Sequence, residues 1–318
     1  GPGRGLKTAP IPRASAGELS PEAFYAFNEN GRLPVIVEGE VKSHLASRMS
    51  FQDLKRLCGG GLTETSVYDP GTRGWAGLSG KKVMTMAAYL DAHILNRTKA
   101  ADEDRDLVYS SGAVGLPEFC PKLQFFMPVP KYVATGVSPI DAHGVQPGQP
   151  EQYIGPTGTK TELHMDNFLI PFWMSVYKGA KTFRVILFEE IYDTPSLKAF
   201  FLDHKKTRWE RKVPSSGGNG AVEKKELEIW RPDFAVFPEL LEATVYEGTV
   251  NAGDWIFLPG GALHAVSNEG DSWGVSINAL MPQAIETFAD VCTKANFEWK
   301  CDAFAEAVSP TCRNLKDR

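Results

Sequence analysis

From about residue 105 to residue 285, short β-branched and aromatic runs alternate with Gly- and Pro-rich turns. This alternation restricts the fold more than any other feature of the chain, because strands this short need neighbours on both sides. The runs fall at 123–126, 152–154, 162–166, 172–178, 182–188, 243–250, 255–258 and 273–280. Strands at such spacing predict a sandwich or barrel. Helical patterns flank them. Residues 21–28 follow Ser20, a capping residue, and precede a β-branched strand at 33–37. A helix from about Ser50 carries Phe51, Leu54 and Leu57 on one face and stops at Gly59-Gly60-Gly61. Residues 83–95 are a further helix candidate. Residues 281–307 place Ile285, Phe288, Ala289 and Cys292 at helical spacing.

The expected architecture is therefore mainly β with helical additions: an N-terminal helical cap, a β core over about 106–285, and C-terminal helices. Residues 1–17, with Pro10 and Pro12, read as a flexible arm, and Gly1-Pro2-Gly3 resembles the scar of a cleaved tag. One domain is expected over 18–285, followed by a helical tail over 286–318. The sequence holds no internal repeat, and 214–220 is its one low-complexity stretch.

Composition narrows the function classes. Of 318 residues, 42% are hydrophobic and 23% charged, which suits a globular core rather than a disordered chain. The net charge of -5 gives no overall basic field toward nucleic acid or anionic membrane. No apolar run reaches the roughly 18 residues of a membrane span. Cys58, Cys120, Cys292, Cys301 and Cys312 are scattered, odd in number and form no CxxC pair. They read as reduced thiols of an intracellular protein, nuclear or cytoplasmic. Asn96-Arg97-Thr98 fits a glycosylation sequon, relevant only in a secreted protein. Residues 205–212 form a basic run around Trp209, in an apparent insertion between the barrel halves. This run suits an acidic protein or RNA, or else a solvated loop balanced by Glu223, Glu226 and Glu228; we read it as the loop.

Six histidines are present, and His44, His93, His143 and His204 stand in no ligand pattern. His164 differs, because Asp166 lies two residues on within an expected strand, where i and i+2 share a face. His264, after Trp255-Ile256-Phe257-Leu258-Pro259-Gly260-Gly261, supplies a third ligand. Two histidines and a carboxylate make the facial triad of non-haem Fe(II) oxygenases. Zinc accepts the same ligands, so the triad alone leaves the chemistry open. Lys181 stands 17 residues after His164 at the head of an apolar strand. Turned inward, it needs an anion, and a dicarboxylate supplies one. Thr161 adds a hydroxyl, and Ser276 and Asn278 share one strand face toward the same cavity.

Three segments now carry a resemblance. The run from Tyr153 through Thr161 to His164-Met165-Asp166 resembles the metal-binding strand of the Jumonji-C (JmjC) family. Gly179-Ala180-Lys181-Thr182-Phe183 resembles its cosubstrate-lysine strand, and Gly253-Asp254 through His264 its second-histidine strand. The likeness covers about residues 20–285 and is that of the small hydroxylase type. It implies a double-stranded β-helix of cupin type, Fe(II) on His164, Asp166 and His264, and O2 as oxidant. It also implies 2-oxoglutarate on Lys181 and Thr161, with Asn278 near cosubstrate and metal. Its spacing is like that of the arginine-demethylase/lysyl-hydroxylase branch, with two departures. Met174 stands where that branch has Asn, and Ala262-Leu263 where aromatic residues are usual.

The resemblance implies hydroxylation of a protein or peptide side chain, with succinate and CO2 released. N-methyl-lysine or N-methyl-arginine demethylation, nucleic-acid hydroxylation and a non-catalytic cupin-like binding module stand as alternatives. No membrane partner is expected, and a homodimer through the C-terminal helices is plausible by resemblance.

Overall fold

The computed structural model describes residues 5–69, 75–97, 107–115, 120–132, 150–166, 169–202, 209–215 and 222–295. Its strands are β1 (Lys7–Pro10), β2 (Arg13–Ser15), β3 (Val35–Glu38), β4 (Leu62–Tyr68), β5 (Leu78–Thr85), β6 (Val108–Gly115), β7 (Glu151–Gly155), β8 (Phe172–Ile186), β9 (Glu210–Pro214), β10 (Val222–Glu226), β11 (Thr244–Asn251), β12 (Trp255–Leu258) and β13 (Leu263–Asn278). All but β9 and β10 join one sheet, in the order β2-β3-β12-β8-β13-β7-β6-β4-β5, with β11 added on β8 and β1 on β11.

Two long strands turn that sheet into two layers. The first half of β8 pairs with β12 and with the second half of β13. Its second half pairs with β11 and with the first half of β13. The bend falls at Gly179, whose φ of +62° lies in the left-handed region. A Cβ there would also stand 2.4 Å from the Asp271 carbonyl oxygen. β13 breaks register at the same corner, between Glu269 and Trp273. The two layers close face to face as a double-stranded β-helix. Ile36, Phe172, Met174, Phe183, Val185, Ile256 and Val266 fill the space between them.

Helices cover the outer faces. Ser20 caps Pro21–Phe27, accepting from the Ala23 N–H. This helix sets Phe24 against Trp173, Trp255 and Phe257, with Phe288 and Val291 of helix Ile285–Lys294 in the same cluster. Side chains of that size contribute about 1.5–3 kcal/mol each on full burial, so they anchor the cap to the barrel. Ser50 and Asp53 form a reciprocal capping box at the start of Phe51–Cys58.

Several expectations are corrected. Residues 123–126 are not a strand but part of the 3-10 helix Pro121–Phe126, which Pro121 starts. In 83–95 the first residues close β5, and helix covers only Met86–Leu90 before a π-helical turn, Asp91–Leu95. Runs 172–178 and 182–188 are one strand up to Ile186, and Phe188 opens a helix, Phe188–Asp193. Run 273–280 is the end of a strand that begins at Leu263. Residues 162–166 make one isolated bridge, His164–His264, rather than a continuous ladder. The expected flexible arm is partly sheet: β1 lies parallel to β11 and β2 parallel to β3, through backbone pairing that Pro10 and Pro12 do not prevent. The cysteines are not all reduced, since Cys58 and Cys120 form a disulfide across 62 residues. Spacing could not reveal it, because the fold alone brings those residues together.

Trp209, expected beside a basic loop face, is buried against Phe201, while residues 205–208 lie outside the described residues. Within the expected helical stretch 281–307, Pro282–Ala284 is a 3-10 turn and Ile285–Lys294 an α-helix. From residue 296 onward, where the expected dimer helices continue, the chain lies outside the described residues. Among the described residues, no helix is long and apolar enough to cross a membrane.

Candidate metal centre

His164 and His264 face each other across an isolated antiparallel bridge. Each backbone N–H donates to the other's carbonyl, at 3.0 and 2.9 Å, so the two imidazoles leave the same face. Their ring centroids are 4.2 Å apart. Nε2 of His164 lies 3.9 Å from Asp166 Oδ1, and Nε2 of His264 lies 3.8 Å from the same oxygen. All three ligand atoms fall within 4.8 Å of one another. Donors bonded at about 2.0–2.2 Å to one ion stand about 3–3.5 Å apart, so the two Nε2–Oδ1 separations lie within about 1 Å of what a shared ion needs.

The surroundings prepare each ligand. The His164 Nδ1 lies 2.8 Å from the Glu162 carbonyl and the His264 Nδ1 lies 3.3 Å from the Ala262 carbonyl. Protons on those Nδ1 atoms leave both Nε2 lone pairs for the ion. Burial, then the adjacent His264 ring, pulls the His164 pKa well below the imidazole range, keeping the ring in its ligating neutral form. Asn278 donates from Nδ2 to Asp166 Oδ2 at 2.9 Å, so Oδ1 is the oxygen turned toward the histidines.

Along β13, His264, Val266 and Asn268 share one face, and Lys181 on β8 pairs with Asn268. Lys181 is fully buried, and its Nζ donates to Asn268 Oδ1 at 2.8 Å, 5.4 Å from the Tyr109 ring centre. Burial pulls its pKa down to about 7. The Asn268 Nδ2 is buried and meets no acceptor among the described residues. A cation with an unmatched charge beside an orphaned amide N–H is a pocket for an anion. Gly274 opens it, because a Cβ there would meet Met174 Sδ at 2.9 Å and Lys181 Cε at 3.0 Å. The step from His264 to Asn268 is four residues, roughly 13 Å of strand at about 3.3 Å each.

Opposite, β7 turns Glu151 and Tyr153 to one face, and the Tyr153 hydroxyl donates to Glu151 Oε2 at 2.8 Å. Burial, with a smaller push from the Asp166 charge, raises the Glu151 pKa. Glu151 pairs with Ser276 on β13, two residues before Asn278, so it stands at the metal end of the cavity. A second concavity, lined by Met127, Pro128, Trp173, Tyr177 and Ile277, opens on the other face of β8 and β13 and has no part in the metal centre.

The structure thus brings His164, Asp166 and His264 together and turns Lys181 inward, as the sequence reading requires. Thr161 is buried, with Oγ1 accepting from the Val266 N–H at 2.9 Å. Ser276 is buried on the face of Gly274 and Asn278. Met174, in place of the branch's Asn, adds a thioether to the cavity wall rather than an amide. His44 is tied to the Tyr177 hydroxyl at 3.1 Å and His93 lies tilted against the Tyr89 ring, while His143 and His204 lie outside the described residues. Sequence reasoning missed Asn268, Tyr109, Glu151, Tyr153 and Glu162. Asn268 was within reach: had β13 been read from Leu263, alternation would have placed it on the face of His264.

No curated protein matches the chain. The family model of the cupin-like domain matches residues 23–285, which takes in β3 to β13 and His164, Asp166 and His264. With that span and a triad assembled between two layers, the chain belongs to the cupin-like domain family, which includes the JmjC-domain oxygenases.

Proposed function

We propose that the protein is an Fe(II)- and 2-oxoglutarate-dependent oxygenase that hydroxylates a protein side chain. The observation that carries this reading is a two-histidine, one-carboxylate triad close to buried, under-compensated Lys181. Zinc hydrolysis uses the triad but has no use for the lysine. Iron with 2-oxoglutarate and O2 supplies oxidation of an unactivated C–H bond, leaving succinate and CO2.

The chain's residues bind and orient. His164, Asp166 and His264 would hold the metal. Lys181 Nζ and the Asn268 Nδ2–H would take the distal carboxylate, with Thr161 three residues before His164. Asn278 fixes the rotation of Asp166. Tyr109, Tyr153, Phe172 and Met174 keep water from the cavity.

On the substrate side, Glu151 has no ion-pair partner among the described residues and already receives the Tyr153 hydroxyl. A cationic side chain offsets such a carboxylate, so we read the substrate as a lysyl or arginyl side chain in a protein. N-methylated forms of the same side chains fit that argument equally, which keeps demethylation as the second reading. The argument for nucleic acid is weaker, because Trp209 is buried and cannot stack on a base.

The test is succinate formation from 2-oxoglutarate with Fe(II), O2 and lysine- or arginine-bearing peptides, followed by mass measurement. Gain of one oxygen is expected, and loss of a methylene would mean demethylation instead. His164→Ala and Asp166→Ala should abolish turnover and metal binding together. Full turnover by either variant refutes the assignment.

A further inference from the structure

The segment 160–164 carries the first metal histidine, yet it joins β13 through two isolated bridges, Lys160–Ser267 and His164–His264, and the Val266 N–H to Thr161 Oγ1 hydrogen bond rather than a continuous ladder. Among the described residues, no strand lies beside its other edge. Two groups from elsewhere fill that edge: the Glu162 N–H donates to the Ala76 carbonyl at 2.8 Å, and Trp230 Nε1 donates to the Thr161 carbonyl at 2.9 Å. The Glu162 side chain, buried, reaches further. Its Oε1 accepts from the Tyr68 hydroxyl at 2.5 Å and its Oε2 accepts from the Ile229 N–H at 2.8 Å. Arg184 completes the contact, donating to the Ile229 carbonyl at 2.7 Å and stacking 4.7 Å over Trp230. The same Glu162 offers its backbone carbonyl to His164 Nδ1.

We propose that Glu162 is a positioning residue for the metal ligand His164, and that Ile229 and Trp230 make the segment after hairpin β9–β10 a structural part of the metal centre. The inference rests on the metal-binding reading above. Glu162 sits at the junction of three parts of the fold: β4, the hairpin segment and the metal strand. Its side chain fixes where its own carbonyl lies, and that carbonyl fixes the tautomer and tilt of the imidazole. An edge held by side chains moves when a side chain is lost, whereas a full ladder does not.

The experiment titrates Mn(II) alone into the full chain, with affinity read by paramagnetic resonance of free Mn(II). Glu162→Ala is expected to bind Mn(II) about 10–100-fold more weakly, the range for losing an outer partner of a metal ligand. Trp230→Phe, which keeps the ring but loses Nε1–H, should weaken binding in the same direction with the fold intact. Glu162→Gln should restore most of the affinity, because the amide oxygen accepts from Ile229 while the Tyr68 hydroxyl turns to accept from the amide. Leu54→Ala, in the separate cluster around the helix Phe51–Cys58, is the control for stability loss alone. Wild-type affinity in both Glu162→Ala and Trp230→Phe, or equal weakening by Leu54→Ala, overturns the proposal. Mn(II) binding that is absent in the wild type, or unchanged by His164→Ala, overturns the metal reading itself, and this inference with it.

Discussion

Lys181 holds a charge where water does not reach it, and this has a measurable consequence. Its pKa falls from 10.5 to about 7 on burial, so the folded chain binds this proton more weakly than the unfolded chain. The cost of protonated Lys181 is complete below about pH 7 and vanishes as pH climbs through 10.5. The metal- and ligand-free protein should therefore gain stability from pH 7 towards pH 9, and Lys181→Met should lose that gain. Denaturant midpoints across the range check both. A dicarboxylate reverses the preference by pairing with the charged amine, so binding of 2-oxoglutarate above about pH 7 takes up a proton. Calorimetry in two buffers of different ionisation heat measures this uptake, and its absence in the wild type would remove Lys181 from the anion site. Lys181→Met should also weaken 2-oxoglutarate binding by about 10–150-fold, from the roughly 1.5–3 kcal/mol of a charge-assisted hydrogen bond.

At the scale of elements, the bent strands decide whether these residues meet. Gly179 turns β8 from one layer to the other at a positive φ, with the Asp271 carbonyl 2.4 Å from where a Cβ would sit. Gly179→Val should cost several kcal/mol, from the strained backbone and the forced retreat of β13. The loss should appear in thermal melts and as poor soluble yield. The element scale also shows what the sequence made legible. The triad was readable because His164 and Asp166 share a face by alternation and because His264 follows an apolar strand found at its true bounds, Trp255–Leu258. The 3-10 helix at Pro121–Phe126 was not, since six residues of mixed apolar character fit either state. Val83–Thr85 read as helix because its period suits one, but pairing with Leu62–Glu64 overrides propensity. Glu151 and Glu162 gave no signal, because a lone acid acquires its role only from partners on distant strands.

Across the whole molecule, the disulfide divides the fold's stability from its chemistry. Cys58 ends the helix Phe51–Cys58 and Cys120 precedes the 3-10 helix Pro121–Phe126, so the bond ties the N-terminal cap to the loop region before β7. Both belong to the cluster of Leu54, Tyr89, Leu123, Tyr177 and Trp273. The triad lies elsewhere, between the clusters of Leu163 with Leu263 and of Phe172 with Val266. Closing a loop of 62 residues restricts the unfolded chain far more than the folded one. Cys58→Ser with Cys120→Ser should thus cost about 2–4 kcal/mol, the usual range for a bond of this kind. Mn(II) affinity below the melting transition should stay within a few-fold of wild type, because none of the ligands' hydrogen bonds runs through the cap. The two readings together decide the matter. A stability loss with unchanged Mn(II) binding supports two separable halves. A matching fall in metal affinity would mean that the cap, through β4 and Tyr68, reaches the metal strand more strongly than the single Tyr68–Glu162 hydrogen bond accounts for.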